Sequence, residues 1–312
     1  MNILPPTDTA IQQACALLKV GQLIGLPTET VYGLAGDATQ DQAIARIFAV
    51  KNRPTFNPLI IHVSTLDKAL ELGQFHEKAL ILAERFWPGP LTLVVAKRPF
   101  SPISLLASAG LETIAIRIPS HPVAQQVLQS YGPLAAPSAN QSESLSPTCT
   151  NHVIQSLGEA VPLILEGGPC IIGLESTILD CTHEMITLLR PGGIAVEEIE
   201  AVIGPVLKEL KDSRIKAPGM LHRHYAPKLP IRLNALEKHP GEGLLGFGYS
   251  PNADLNLSPQ GDLIEAAANL FAMLHRLDNP VYTGIAVAPI PNNGLGLAIN
   301  DRLYRAAASP TG

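Results

Sequence analysis

Gln22-Leu23-Ile24-Gly25-Leu26 runs directly into Pro27-Thr28-Glu29-Thr30-Val31-Tyr32-Gly33-Leu34, and one helical segment later the chain reads Lys51-Asn52-Arg53-Pro54, then Asn57-Pro58-Leu59. The first five residues predict a strand that ends in a polar turn. Ile44, Ile47 and Phe48, at i, i+3 and i+4, predict the helix that follows, with Thr39 as its cap and Lys51 at its C-terminal end, where the helix dipole favours a cation. Few structural demands place Thr-Glu-Thr and Lys-x-Arg so close together. A site that holds a small polar molecule beside a phosphate does, because Arg presents a planar fork and Lys a mobile point charge.

Outward from this stretch, strands alternate with helices. Asp8 to Val20 reads as an amphipathic helix stopped by Gly21. Pro58 to Val63 reads as a short buried strand, Glu77 to Trp87 as a helix halted by Pro88-Gly89-Pro90, and Leu91 to Ala96 as a strand. Thr113 to Ile118 alternates, with Ile114, Ile116 and Ile118 on one face and Thr113, Ala115 and Arg117 on the other. Pro122 to Tyr131 is predicted helical. Leu134-Ala135-Ala136 is a small-residue strand entering Pro137-Ser138-Ala139-Asn140, and Ser146-Pro147 has the form of an N-cap with proline at the first helical position. Strands are expected near Val161 to Leu165, Ser176 to Leu179 and Ile186 to Leu189, and a helix near Ala195 to Ile203. Residues 206–230 change character to basic residues among prolines and a glycine. A strand near Leu244 to Phe247, a helix from Asp262 to Leu277, a strand near Gly284 to Ala288 and a helix near Leu295 to Ala308 form a second, smaller α/β unit. The expected division is 1–205, a 206–230 linker, and 231–312.

With 312 residues, 46% apolar and 16% charged, the composition is globular and suffices for one large or two medium domains. A formal net charge of −5 argues against a broad nucleic-acid surface, though not against a local basic pocket. Cys15, Cys149, Cys170 and Cys181 form no C-x-x-C pair, which argues against zinc or redox chemistry and fits a reducing cytosol. No signal-peptide pattern and no membrane-length apolar run is read, so a cytoplasmic location is expected. P-loop, Rossmann, zincin and nucleophile-elbow motifs are missing, and a nucleotide here would be bound by an unusual route.

Taken one by one, the polar constellations allow bland explanations. Lys51, Arg53 and Asn57 could be a solvated helix end. Ser138, Asn140 and Ser146 could be ordinary turn and cap residues, although a serine at a helix start is also a ready anion site. Arg117 beside Thr113 could be exposed. His62 could be a satisfied core histidine. His222 and His224 lack further ligands at metal spacing.

Together they resemble the YrdC-like threonylcarbamoyl-AMP synthases in their long two-domain form. The resemblance rests on Pro27 to Leu34, Lys51-Asn52-Arg53-Pro54, Asn57-Pro58-Leu59, Trp87-Pro88-Gly89-Pro90-Leu91-Thr92, Arg117-Ile118-Pro119, Ala136 to Asn140, Glu175-Ser176-Thr177 and Leu189-Arg190-Pro191-Gly192. Pro218-Gly219-Met220 and His224-Tyr225-Ala226-Pro227 resemble the linker signature of that form. It implies a twisted mixed, mostly parallel α/β sheet with a positively lined cavity, a smaller Rossmann-like domain, and the linker folded over the cavity mouth. The implied reaction converts L-threonine, bicarbonate (or CO2) and ATP to threonylcarbamoyl-AMP and pyrophosphate, for the t6A37 modification of tRNAs reading ANN codons. Thr30, His62, Arg117, Ala136 and Ser176 are implied on the threonine side. Lys51, Arg53, Asn57, Thr113, Ser138, Asn140, Ser146, Arg190, Arg223, His224 and Tyr225 are implied on the ATP side, with Lys51 and Arg53 catalytic. Mg2+ is expected to arrive with ATP, and the product to pass to a tRNA threonylcarbamoyl transferase complex, without stable nucleic-acid or membrane binding. Two rivals are RNA binding without catalysis, which the net charge opposes, and the carbamoyl transfer of hydrogenase maturation, whose cysteine-rich zinc modules are missing here.

Overall fold

The computed structural model describes residues 2–208 and 224–308. Among them, twelve strands form one large sheet and four a second. The large sheet runs, from one edge, Asn2–Leu4, Leu163–Leu165, Ile24–Leu26, Gly33–Asp37, Leu134–Ala135, Ile60–His62, Thr113–Arg117, Leu91–Lys97, Thr177–Asp180, Thr187–Arg190 and Leu207–Lys208, with Gly73–Gln74 beside Leu91–Lys97. It is mixed: five of its pairings are parallel and six antiparallel. All three pairings of the small sheet are parallel, so parallel pairing is in the majority over the two sheets together.

Strand alternation gives the large sheet two unlike faces. One face carries Leu34, Ile61, Leu93, Val95, Ile114, Ile116 and Leu188 into the main core, where they meet the helices Asp41–Lys51, Leu66–Leu72, Glu77–Phe86, Thr150–Leu157 and Val196–Ile203. On the opposite face, the helices Asp8–Lys19 and Pro122–Tyr131 cover one half through Ile11, Ala14, Leu18, Val123, Val127 and Leu128. The other half of that face has no such cover. It presents a small apolar floor of Ile60, Val94, Ala115, Ile178 and Leu189, bordered by His62, Thr92 and Arg117. A cavity opens at the Ile60 edge of this floor, beside His62 and Arg117.

The second unit closes over it. Its strands lie in the order Ile231–Arg232, Gly284–Val287, Glu242–Gly246, Leu255–Asn256. Both of its helices, Leu263–Leu277 and Gly296–Ala307, pack on one sheet face, in a core that also takes in Val31, Leu145 and Leu174 of the first unit. On the other face lies a small apolar cluster of Ala235, Leu244, Ala253 and Ala286. The parallel order is that of a Rossmann-like unit, but the cover is one-sided. Gly173, at φ +71°, is needed where the units meet: a Cβ there would lie 2.5 Å from the carbonyl oxygen of Ala268.

Two cap readings are corrected. Gln40 rather than Thr39 precedes the Asp41–Lys51 helix; Thr39 instead donates its backbone N–H and hydroxyl to Asp37. Ser146 caps no helix, because the next one is Thr150–Leu157 with Cys149 as its N-cap. The expected 206–230 linker lies largely outside the described residues, and Arg223 with it; the small sheet begins at Ile231.

Candidate active site

The Thr28-Glu29-Thr30 turn is folded by its own hydroxyls. Thr28 Oγ donates to the Val31 carbonyl at 2.6 Å and accepts from the N–H groups of Thr30 and Val31. Tyr32 is wholly buried, and its hydroxyl donates to the Gly168 carbonyl at 2.9 Å. These bonds present Glu29 and Thr30 to Arg117, at the end of its strand. Arg117 Nη2 meets Glu29 Oε1 at 2.6 Å and Nη1 donates to Thr30 Oγ at 2.9 Å. Burial tends to raise the Glu29 carboxyl, but the Arg117 charge and hydrogen bond hold it below its ordinary value. His62 stands on the adjacent strand, in register with Arg117. Its Nδ1 lies 3.2 Å from the Ile60 carbonyl, which can only accept, so Nδ1 carries the proton and Nε2 is left as an acceptor. Burial, then the Arg117 charge, lowers its pKa to about 3, and the ring is neutral.

The opposite wall is cationic. Arg53 donates from Nε to the Asn57 carbonyl at 3.2 Å and from Nη2 to the Pro58 carbonyl at 3.0 Å. The Pro54-to-Pro58 turn thus orients the guanidinium. Burial lowers its pKa to about 10, so it keeps its charge. Arg190 donates from Nε and Nη2 to the Ser176 carbonyl at 3.2 and 2.9 Å, and Ser176 Oγ pairs with Thr92 Oγ at 2.7 Å. Gly192 makes this wall possible. A Cβ there would come within 2.4 Å of the Glu175–Thr177 backbone. Lys51 lies behind the wall. Its Nζ donates to the Ser138 and Asn140 carbonyls at 2.5 Å each, and burial, then Arg53, holds its pKa well below the ordinary lysine value.

A cleft lies between these walls. Thr30, Arg53, His62, Arg117, Ala136, Ser138, Ser176, Arg190, His224 and Tyr225 of the expected set all line it. The remaining expected residues are placed otherwise. Lys51 and Asn140 are buried behind the Ser138 loop, and Asn57 is buried beside Arg53. Ser146 is fully buried with its hydroxyl committed to Glu175. Thr113 shares the Arg117 face but sits at the other end of that strand, about 13 Å along it, off the lining. Two roomier clefts lie elsewhere and bring together no comparable set of cations.

His224 and Tyr225 roof the cleft. Tyr225 takes the left-handed conformation, at φ +63°, that L-residues seldom adopt. Its ring lies 5.6 Å from Phe271 of the second unit. Ala226 N–H, next to it, donates to the Glu143 carbonyl at 2.7 Å. Two buried side-chain atoms without a partner among the described residues belong to this roof, His224 Nδ1 and Tyr225 Oη. Buried polar atoms are rarely left so unless a ligand or water meets them. Sequence reasoning missed Glu175 and Arg302 as site residues. Glu175 lines the cleft, and Arg302, on the Gly296–Ala307 helix, donates from Nε to Glu175 Oε2 at 2.8 Å.

Comparison with known proteins places the chain in a family. Residues 16–192 match the Sua5/YciO/YrdC family, described as telomere recombination, and residues 194–308 match the threonylcarbamoyl-AMP synthase C-terminal domain. The chain belongs to the threonylcarbamoyl-AMP synthase family, in its long two-domain form. It is 40% identical to the threonylcarbamoyl-AMP synthase of Bacillus subtilis over 97% of this chain and 94% of that protein. Identity to the Pyrococcus abyssi threonylcarbamoyl-AMP synthase is 39%, over 95% of this chain and 94% of that protein. The crystal structure of P. abyssi Sua5 complexed with L-threonine superposes with a TM-score of 0.90 at 35% identity, covering 98% of both chains. As a member of this family the chain is an enzyme of the adenylate-forming, nucleotidyltransferase type.

Proposed function

We propose that this chain makes L-threonylcarbamoyladenylate from L-threonine, bicarbonate or CO2, and ATP, releasing pyrophosphate, and so supplies the t6A modification of adenosine 37 in tRNAs that read ANN codons. The observation that carries this reading is the division of one cleft. An Arg117 guanidinium held by Glu29 and Thr30 stands on one side, and Arg53 and Arg190 with Lys51 behind them on the other. The first side suits an α-amino acid carboxylate, and the second a polyphosphate.

In the reaction proposed, the threonine amine nitrogen attacks the carbon of CO2 and loses a proton, giving a carbamate. A carbamate oxygen then attacks the α-phosphorus of ATP, the bond from that phosphorus to the bridging oxygen breaks, and pyrophosphate leaves with the electron pair. Arg117 orients the carboxylate. The neutral His62, with Nε2 free to accept, borders the amine without adding a charge. Arg53 and Arg190 offset the charge that builds on the phosphates, and Lys51 stiffens the Ser138–Asn140 loop against them. Carbamates decompose in water, and the His224–Tyr225 roof limits its entry.

Mg2+ fits this site as the partner of ATP rather than as a protein-held ion. The two carboxylates nearest the cleft, Glu29 and Glu175, are both paired to arginines. No cluster of three metal-ligating side chains occurs among the described residues. Metal bound through the triphosphate would neutralise part of its charge. Among the described residues no helix is long and apolar enough to cross a membrane. The reading places the enzyme in the cytoplasm, handing its product to a tRNA threonylcarbamoyl transferase complex without stable nucleic-acid binding of its own.

ATP labelled at the α-phosphate, with threonine and bicarbonate added or withheld, tests the reaction. A labelled adenylate that needs both is expected, with Lys51→Ala and Arg53→Ala losing about a hundredfold or more of the rate. Full threonine-dependent pyrophosphate release by both variants would sink the assignment of the cationic wall.

A further inference from the structure

Ser146 and Glu175 belong to the first unit, yet side chains of the second unit hold both. Ser146 donates its hydroxyl to Glu175 Oε1, and its carbonyl lies 3.1 Å from Nε2 of His275 on the Leu263–Leu277 helix. The His275 ring stacks on His152 of the first unit, with centroids 3.8 Å apart. Glu175 Oε2 takes Nε of Arg302 at 2.8 Å. Arg302 is wholly buried, on the same helix face as Ala298, Ile299, Leu303 and Ala306. Its Nη1 reaches Asp301 at 2.7 Å and its guanidinium carbon stands 5.0 Å from the Tyr225 ring centre. Packing alone would be served there by leucine, since a buried ion pair gives little net stability over apolar residues of similar size. The pair must therefore be weighed by what it does to the cleft. Glu175 is an anion on the wall that carries Arg53 and Arg190, in the position where it most opposes a polyphosphate.

We propose that Arg302 of the second unit is a positioning residue for nucleotide binding: it neutralises Glu175 and fixes it against Ser146, so that the wall formed by the first unit has its full positive charge only while the second unit is docked. This rests on the reading that ATP lies along that wall. With Arg302 in place, Glu175 is turned away to Ser146 and Arg302, and Arg53 and Arg190 face the cleft with their charge intact. Without it, Glu175 loses its ion-pair partner and draws on the charge of Arg190, a cation that would otherwise serve the phosphates. The catalytic fold would remain, but its affinity for ATP would fall, and the threonine side, built from Glu29, Thr30 and Arg117, would be spared.

The test measures ATP and L-threonine binding separately, by calorimetry on the full chain, for Arg302→Met, Arg302→Lys and the double variant Glu175→Gln with Arg302→Met. Arg302→Met is expected to weaken ATP about tenfold or more while threonine binding stays within about twofold. The double variant, which removes the stranded charge, is expected to recover ATP binding to within about threefold of the parent. A merely structural role would weaken ATP and threonine binding together in Arg302→Met, so the loss of one with the other kept is the deciding result. Arg302→Lys retains a cation beside Glu175 and gives a second reading should the Met variant fail to fold; it too is expected to bind ATP more weakly than the parent, because one ammonium cannot replace the fork shared by Glu175 and Asp301. Unchanged ATP binding in the single variants, or a double variant no better than Arg302→Met, overturns the proposal. A parent chain that binds ATP but forms no adenylate overturns the reaction reading instead, and this comparison of affinities still decides the role of Arg302.

Discussion

Replacing Arg117 by Met separates what the residue does for the fold from what it does for the ligand. Arg117 is 4% exposed and Glu29 2% exposed, and their contact is 2.6 Å. Removing the guanidinium strands a carboxylate in the interior, a change that costs about 3–5 kcal/mol at neutral pH. The pH dependence follows from the sign of the shift. In the parent, the Glu29 pKa is depressed, so its stabilising contribution is full above the unfolded value of 4.5 and is lost only as pH falls through the lower folded value. In Arg117→Met, burial acts without the compensating cation and drives the pKa above 4.5. The penalty then shrinks on acidification by about 1.4 kcal/mol for each unit of that rise. Urea unfolding at pH 7 and pH 5 should therefore show a smaller gap between parent and variant at pH 5. Adding Glu29→Gln should restore most of the stability at pH 7 without restoring threonine binding, because the amino acid carboxylate needs the fork itself. An equal loss at both pH values would refute the ion-pair reasoning. Full threonine affinity in the double variant would refute the placement of threonine at Arg117.

Gly192→Ala should cost about 1–3 kcal/mol or more in thermal unfolding and depress ATP affinity with it, since its Cβ would meet the backbone of Glu175, Ser176 and Thr177 at 2.4 Å. The stacked histidines should make the contact between the units acid-sensitive. Burial, then His275, lowers the His152 pKa to about 4, so the folded state binds fewer protons than the unfolded chain and stability should fall as pH drops from about 6.5 to 4. Because the ring is partly exposed, solvent screening limits that loss to about 2 kcal/mol. His152→Gln should flatten the profile of melting temperature against pH over this interval, and an unchanged slope would count against it.

The apolar periodicity of the chain was legible because tertiary packing agreed with it. Pro122–Tyr131 forms as read, and in Thr113–Arg117 the alternating isoleucines enter the core while Ala115 and Arg117 take the other face, Arg117 lining the cleft. The strand Gly33–Asp37 was missed because its glycines mask it. A Cβ at Gly36 would come within 2.8 Å of the Leu23 side chain, so close packing there outweighs strand propensity. Ser146-Pro147 misled because a serine before a proline is also a cap signature, and only the fold shows that Ser146 faces Glu175. Pairing of the site across the chain was not legible at all: Glu29 finds Arg117 eighty-eight positions away, and Glu175 finds Arg302 at 127. One signal for the second pair was nevertheless present. Arg302 interrupts the apolar face of an otherwise regular amphipathic helix, and a charge in that place needs a partner from elsewhere.

The meeting of Gly173 with Ala268 constrains how such a chain can diversify. Where side chains separate two domains, drift on one surface can be absorbed by drift on the other. Here a carbonyl occupies the space of a missing Cβ, and no rotamer can yield. Recombination that brings in a foreign C-terminal unit must preserve the helix trajectory past Gly173 to within a fraction of an ångström. An exchange of either unit must therefore keep a glycine at this contact, although each unit has a sheet of its own.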